Sequence, residues 1–225
     1  RRGELLALLD LARLLGLPPR GIADLTKIDR WFLENIKQIC DLEEEIRAFG
    51  HDRPGLGEAP AEILRRAKEQ KINVDGKRKT RWAVIRNTYP ELRTTTIKSW
   101  HQWVPAHLGR WVDTGPPTHH IVEGDLDLEV LFIALDRPDD IAKLLSMELT
   151  GAWVNEAREV PKAVIDGLTG RVGRYPSVLM GGCSWSGIVA DTNPPDTDHW
   201  WYKLAEETKP DGWSFFKQPG GRDPG

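Results

Sequence analysis

One stretch narrows the choice of folds more than any other. Leu149-Thr150-Gly151-Ala152-Trp153-Val154-Asn155-Glu156 is an apolar run that ends in a carboxylate. A buried strand that delivers a polar pair at its C-terminal end is how an open α/β sheet builds a working edge. A second run of the same design, Gly187-Ile188-Val189-Ala190-Asp191-Thr192-Asn193, follows downstream.

The pattern around these runs agrees with a layered α/β fold. From residue 80 onward strand and helix signals alternate. Strands are expected at Arg81–Arg86, His120–Val122, Leu126–Leu135, Thr150–Asn155, Gly187–Asp191 and Trp213–Gln218. Helices are expected at Thr94–Trp103, Pro138–Met147, Pro161–Leu168 and Thr197–Glu207. The stretch 119–135 turns at Glu123-Gly124-Asp125 and predicts a β-hairpin. The first part of the chain differs. Leucines at 5, 6, 8, 9, 11, 14, 15 and 17 give one apolar helix face, stopped by Gly16 and Pro18-Pro19. Trp31, Phe32, Ile36, Ile39, Leu42, Ile46 and Phe49 recur at helical spacing and predict an amphipathic helix. Residues 50–57 read as a loop and Ala61–Gln70 as a further helix.

Composition excludes few classes. The 225 residues suffice for one large domain or two small ones, and a net charge of −3 argues against a molecule that is basic all over. A local basic patch remains open, with Lys and Arg totalling 31. No apolar stretch approaches the roughly 20 residues that cross a bilayer. Cys40 and Cys183 form no metal or redox motif, which fits a reducing, cytosolic setting. Starting at Arg1, the sequence reads as a fragment.

The chemistry concentrates at Asn155 and Glu156. A nucleoside triphosphate hydrolase needs amides and a Lys around the phosphates, a group that holds Mg²⁺ and a group that orients the attacking water. The last two commonly end an apolar strand. Glu156 has the place of the base that polarises water, and Asn155 the place where a metal-holding Asp is usual. Asn is the weaker Mg²⁺ partner because it lacks charge. A plainer reading fits the strand alone better: a buried strand followed by a helix start, with Glu156 and Glu159 near its N-terminus.

The neighbouring segments change that balance. Trp82-Ala83-Val84-Ile85-Arg86-Asn87-Thr88-Tyr89-Pro90-Glu91-Leu92, Thr94–Trp100, Leu135-Asp136-Arg137-Pro138, Glu148–Pro161, Leu168–Pro176 and Asp191–Tyr202 occur in this order. Taken jointly they closely resemble the ATPase domain of tailed-phage terminase large subunits, the motors that pump DNA into a prohead. The resemblance covers about residues 72–219. It implies an α/β fold, a partial P-loop ATPase-like sheet with flanking helices, preceded by a small all-α segment. It makes 149–156 the Walker B segment, Glu156 the catalytic acid and Asn155 the metal-side group. It makes Asp191-Thr192-Asn193 the coupling motif, with Thr192 and Asn193 sensing the γ-phosphate. It offers Arg86 for nucleotide- or DNA-linked sensing, and Arg171 and Arg174 for phosphate contacts to DNA or across a subunit interface. The implied cofactors are ATP and Mg²⁺. The implied partners are double-stranded DNA, a portal protein and a small terminase subunit, in a possible homo-oligomer in the host cytoplasm, with no membrane. The nuclease domain of terminases would lie beyond residue 225.

A phosphate-binding loop is missing from this reading. Such a loop is G-x-x-x-x-G-K-[ST], whose glycines let amides face the phosphates. The one upstream stretch to compare is Arg53-Pro54-Gly55-Leu56-Gly57-Glu58-Ala59-Pro60, which has no Lys and no hydroxyl. Glu58 adds negative charge there, and Pro60 removes a donor. Weak ATP binding and no useful turnover are expected.

The first fifty residues point elsewhere. Leu25-Thr26-Lys27-Ile28-Asp29-Arg30-Trp31-Phe32-Leu33-Glu34-Asn35-Ile36, continuing through Leu42-Glu43-Glu44-Glu45-Ile46, closely resembles the oligomerisation domain of the carbamoyl-phosphate synthase large subunit, over about residues 20–50. That domain carries no catalytic residue. The chain then divides into a helical segment 1–50, a linker and helix of uncertain origin at 51–71, and an ATPase-like core fragment at 72–225. An artificial or misassembled chimera, or a helical oligomerisation module, are the rival readings. Weaker signals take plain explanations. His119, His120 and His199 show no ligand spacing, and the first two alternate faces on a strand. Trp200-Trp201 suits packing better than base stacking. Gly182-Cys183-Ser184-Trp185-Ser186 lacks the second glycine of a nucleophile elbow.

Overall fold

The computed structural model describes residues 59–216. All of them fall in the unit Gly55–Gly225. The helical segments expected between residues 5 and 49 and the loop at 50–57 lie outside the described residues. Six strands are present among the described residues: β1 (Arg78–Arg86), β2 (Arg110–Val112), β3 (Thr118–Glu123), β4 (Leu126–Ala134), β5 (Gly151–Val154) and β6 (Gly187–Ala190). The longer α-helices are α1 (Ala59–Glu69), α2 (Ile97–Trp103), α3 (Pro138–Leu144) and α4 (Lys162–Thr169).

The strands form one sheet in the order β2-β3-β4-β1-β5-β6. β4, β1, β5 and β6 are parallel, while β2 and β3 extend the sheet antiparallel at one side. Parallel strands are covered on both faces and therefore read as continuous apolar runs. β1 shows this: Trp82 to Arg86 are all buried. Trp82 and Val84 face a core shared with Ile63 and Ala67 of α1, Ile97 and Trp100 of α2, Phe132 and Trp153. Ala83 and Ile85 face a second core with Leu144 of α3 and Val164, Ile165 and Leu168 of α4. The chain thus alternates sides as period-two strands require.

Helix α1 belongs to this α/β part. Its Ile63 and Ala67 are fully buried against the sheet. The residue that follows it, Gln70, fixes its end: Nε2 donates to the Trp185 carbonyl at 2.9 Å and Oε1 accepts from Ser184 N at 2.8 Å. Arg66 lies over Trp185 at 4.5 Å, and Trp185 stacks on Trp82 with centroids 5.5 Å apart. Gly151 is required beneath that stack, because a Cβ there would come within 2.7 Å of the Trp82 ring.

The structure adjusts several boundaries. β1 starts at Arg78 rather than Arg81, and β2 was not expected. The hairpin β3–β4 forms as expected, with Gly124 at φ 58 in its turn. Residues Trp213–Phe216 are not a strand; Trp213 and Phe215 stack on each other instead, with centroids 5.8 Å apart. The helix expected at 94–103 begins earlier, at Tyr89, and contains a π-helical segment, Leu92–Thr96. The helix expected at 197–207 is an α turn at Trp200–Tyr202 continued by a π-helical segment, Lys203–Thr208. No helix among the described residues is long and apolar enough to cross a membrane.

Candidate functional site

The topology itself marks a crevice. After β1 the chain enters the helical stretch that covers the first core, whereas after β5 it enters α4, which covers the second. β1 and β5 are neighbours, so their following connections leave toward opposite faces. The carboxyl ends of two such strands flank the switch point where open α/β sheets bind ligands. Arg86 ends β1, Asn155 and Glu156 follow β5, and Asp191, Thr192 and Asn193 follow β6.

The turn after β5 is strained. Glu156 sits at φ 52, ψ 56, in the left-handed region. A non-glycine residue there costs on the order of 1 kcal/mol and persists only where its surroundings over-determine it. The segment after β6 does so. Asp191 Oδ1 accepts from Glu156 N at 3.2 Å, and the Asp191 carbonyl accepts from Ala157 N at 2.9 Å. The Glu156 carboxylate is held in turn: Oε1 accepts from Asn193 Nδ2 at 3.2 Å, and Oε2 accepts from Asn193 N and Thr192 Oγ1, both at 3.4 Å. The structure therefore brings Glu156, Thr192 and Asn193 together.

Asn155 is engaged at both ends of its amide. Nδ2 donates to Asp191 Oδ1 at 2.7 Å, and Oδ1 accepts from Thr96 Oγ1 at 2.7 Å. Thr96 is the last residue of the first π-helical segment. Thr94 and Thr95 bond back to the Pro90 and Glu91 carbonyls, as Thr commonly does in helices, while Thr96 turns to the sheet. A π-segment inside a helix is often found at such places. Trp153 Nε1 donates to Asp191 Oδ2. The Asp191 carboxylate thus gathers three donors, from an indole, an amide side chain and a backbone. Sequence reasoning placed it in the coupling segment and missed it as the hub, because its partners lie 35 to 38 positions away.

Arg86 crosses the crevice. It is 6% exposed, and its guanidinium lies 3.7 Å from Glu91 and 3.4 Å from Glu159, with Nη1 3.4 Å from the Asn155 carbonyl. Its Nε has no hydrogen-bond partner. Arg171 and Arg174 lie elsewhere. Leu149 N donates to the Arg171 carbonyl and Arg174 N to the Leu149 carbonyl, so both flank the amino end of β5. The structure does not bring them to Glu156.

Among the described residues, those around Glu156 do not fit a triphosphate. Arg86, which reaches into the crevice, is shielded and faced by two carboxylates. Glu156 and Asp191 add two more. The Asn155 amide that the resemblance assigns to the metal side is already bonded at both ends. Among the described residues no cluster of three His, Cys, Asp or Glu side chains could hold a metal ion. A separate cavity of about 500 Å³ is lined by residues that include Lys162, Trp200, Lys203 and Trp213, and by none of the expected site residues. His119 is fully buried while His120 faces solvent, as their alternation predicts. Burial, and next the nearby His101, lower the His119 pKa to about 4.

Comparison with known proteins finds two separate likenesses. Residues 3–74 match the family model of the carbamoyl-phosphate synthetase large chain, oligomerisation domain. Over 54 residues the chain is 41% identical to the carbamoyl phosphate synthase large chain of Archaeoglobus fulgidus, spanning 24% of this chain and 5% of that one. Among solved structures, the large terminase of a thermophilic bacteriophage aligns with a TM-score of 0.48 at 14% identity, over 64% of this chain and 33% of that one. The same terminase in complex with ADP aligns at 0.46 and 14%, over 64% and 31%. The large terminase ATPase domain of Thermus phage P74-26 aligns at 0.31 and 14%, over 56% and 52%. The chain spans about a third of the length of the terminase structure first compared.

Proposed function

We propose that residues 72–216 are part of a viral DNA-packaging terminase large subunit, an ATP-driven DNA translocation motor. The described residues hold its acid and its coupling segment without a site for the phosphates. The observation that carries this reading is the grip of Thr192 and Asn193 on Glu156 at the switch-point edge. A carboxylate that ends one buried strand and is held by the end of the next suits a group that must report the state of a bound nucleotide. Glu156 is then the water-orienting acid, and Asp191-Thr192-Asn193 is the coupling segment. ATP and Mg²⁺ are the cofactors of the parent activity; the stretch 53–60, which has no Lys and no hydroxyl, supports a chain that turns ATP over poorly or not at all. Double-stranded DNA, a portal protein and a small terminase subunit are the partners of such a motor.

Two measurements test it. Mg²⁺-dependent ATP turnover that Glu156→Ala abolishes would overturn the inactive state of the chain. Filter binding of double-stranded DNA should show a steep salt dependence, and Arg171→Ala or Arg174→Ala should each lower the log–log slope by about 1. Absence of DNA binding at low salt would refute the motor reading.

A second reading rests on the match at residues 3–74. A helical segment of that kind assembles copies of the chain. α1 lies within the matched range and packs into the sheet core of the unit Gly55–Gly225. Native mass spectrometry of the full chain tests the assembly role, and a monomer at micromolar concentration counts against it.

A further inference from the structure

We propose that Asp191 is the positioning residue of this edge, and that Asn155 is its strut to the opposite face rather than a metal ligand. The inference rests on the proposed role of Glu156 and goes beyond it. Glu156 holds a backbone conformation that its side chain disfavours, so something must keep it there. Asp191 does this twice, through Oδ1 to Glu156 N and through its carbonyl to Ala157 N. The same Oδ1 accepts from Asn155 Nδ2, and Asn155 Oδ1 accepts from Thr96. Oδ2 is fixed by the indole of Trp153, which is 3% exposed. A continuous chain of hydrogen bonds therefore runs from Thr96 through Asn155 and Asp191 to the Glu156 backbone. It joins the π-helical segment on one face, the end of β5 and the end of β6.

This arrangement has a mechanical sense. The residues after β6 hold the Glu156 backbone by Asp191 and its carboxylate by Thr192 and Asn193. A shift of that segment moves the acid as a unit. Thr96 is the contact by which the helical stretch feels the same shift.

The test is a double-substitution cycle in the full chain, with no nucleotide present. Glycine accepts the left-handed conformation without cost. If Asp191 acts mainly by holding that turn, Asp191→Ala should lower the urea midpoint of the wild-type background at least twice as much as it lowers that of the Glu156→Gly background. A midpoint loss in the Glu156→Gly background of more than half the wild-type loss overturns the proposal. Should Asp191→Ala fail to fold, Asp191→Asn carries the same cycle, because its one remaining acceptor cannot serve donors on both sides. A second readout is the backbone amide resonance of Glu156. Thr96→Val, which breaks the far end of the chain, should shift it; an unchanged Glu156 resonance overturns the relay. Neither readout involves ATP or DNA, so this assignment and the motor reading can fail independently.

Discussion

Acid sensitivity should be written into the buried histidine of β3. His119 is fully buried among Trp100, Trp111 and His101. Its Nδ1 accepts from Trp100 Nε1 at 2.9 Å, so the neutral ring must carry its proton on Nε2. Protonating Nδ1 would bury a charge and set two donors against each other. Burial accordingly lowers the pKa from 6.5 to about 4. The unfolded chain binds this proton more readily than the folded one, so stability falls as the pH drops from the unfolded value toward the folded one. The full gap corresponds to about 3 kcal/mol, of which about 2 kcal/mol is lost between about pH 7 and about pH 5. His119→Asn keeps an acceptor near the Trp100 indole and removes the titration. It should be less stable than wild type at neutral pH because it leaves a small void. Its loss of stability on acidification should be smaller by that same amount. Urea unfolding followed by tryptophan fluorescence at the two pH values gives both numbers. Equal acid losses in the two proteins would refute the reasoning.

Other substitutions probe the packing that positions the site. Ile63→Ala removes a fully buried side chain of α1 and should cost about 2–5 kcal/mol within one cooperative transition of the α/β part. A change confined to a separate, weaker transition would show that α1 is not part of that core. Gly151→Ala forces a methyl against Trp82, which Trp185 backs, and should destabilise by about 1–3 kcal/mol; a neutral thermal shift would contradict the contact. Leu179→Ser, at a side chain that is 92% exposed, should change stability by less than about 0.5 kcal/mol in the same assay.

The parts of the fold that were legible from sequence share a physical cause. β1, β4 and β5 lie in the interior of the sheet, so their apolar runs stand out whatever their neighbours. The β3–β4 hairpin was readable because Gly124 marks its turn with a positive φ. β2 was not readable, since three residues, Arg110-Trp111-Val112, carry no period. Trp213–Phe216 misled because aromatic alternation imitates a strand, whereas the rings satisfy one another by stacking. The π-helical segment at Leu92–Thr96 had no signal, because Thr96 leaves the helix pattern to reach an amide fixed by the distant strand β5. At the site, Asn155 and Glu156 were legible as the polar end of an apolar run. The hub at Asp191 was not, since its meaning depends on two strands lying side by side.

That adjacency has a kinetic side. Among the described residues β6 is an edge of the sheet and none of its four residues is fully buried, while β5 beside it is buried throughout. The buried strand leads into Glu156, and the half-buried strand beside it leads into the residues that hold Glu156. Edge strands open locally more often than central ones. The interval over which Glu156 keeps one orientation is therefore set by how often β6 frays, so amide exchange at Ile188–Ala190 would serve as the clock of the site.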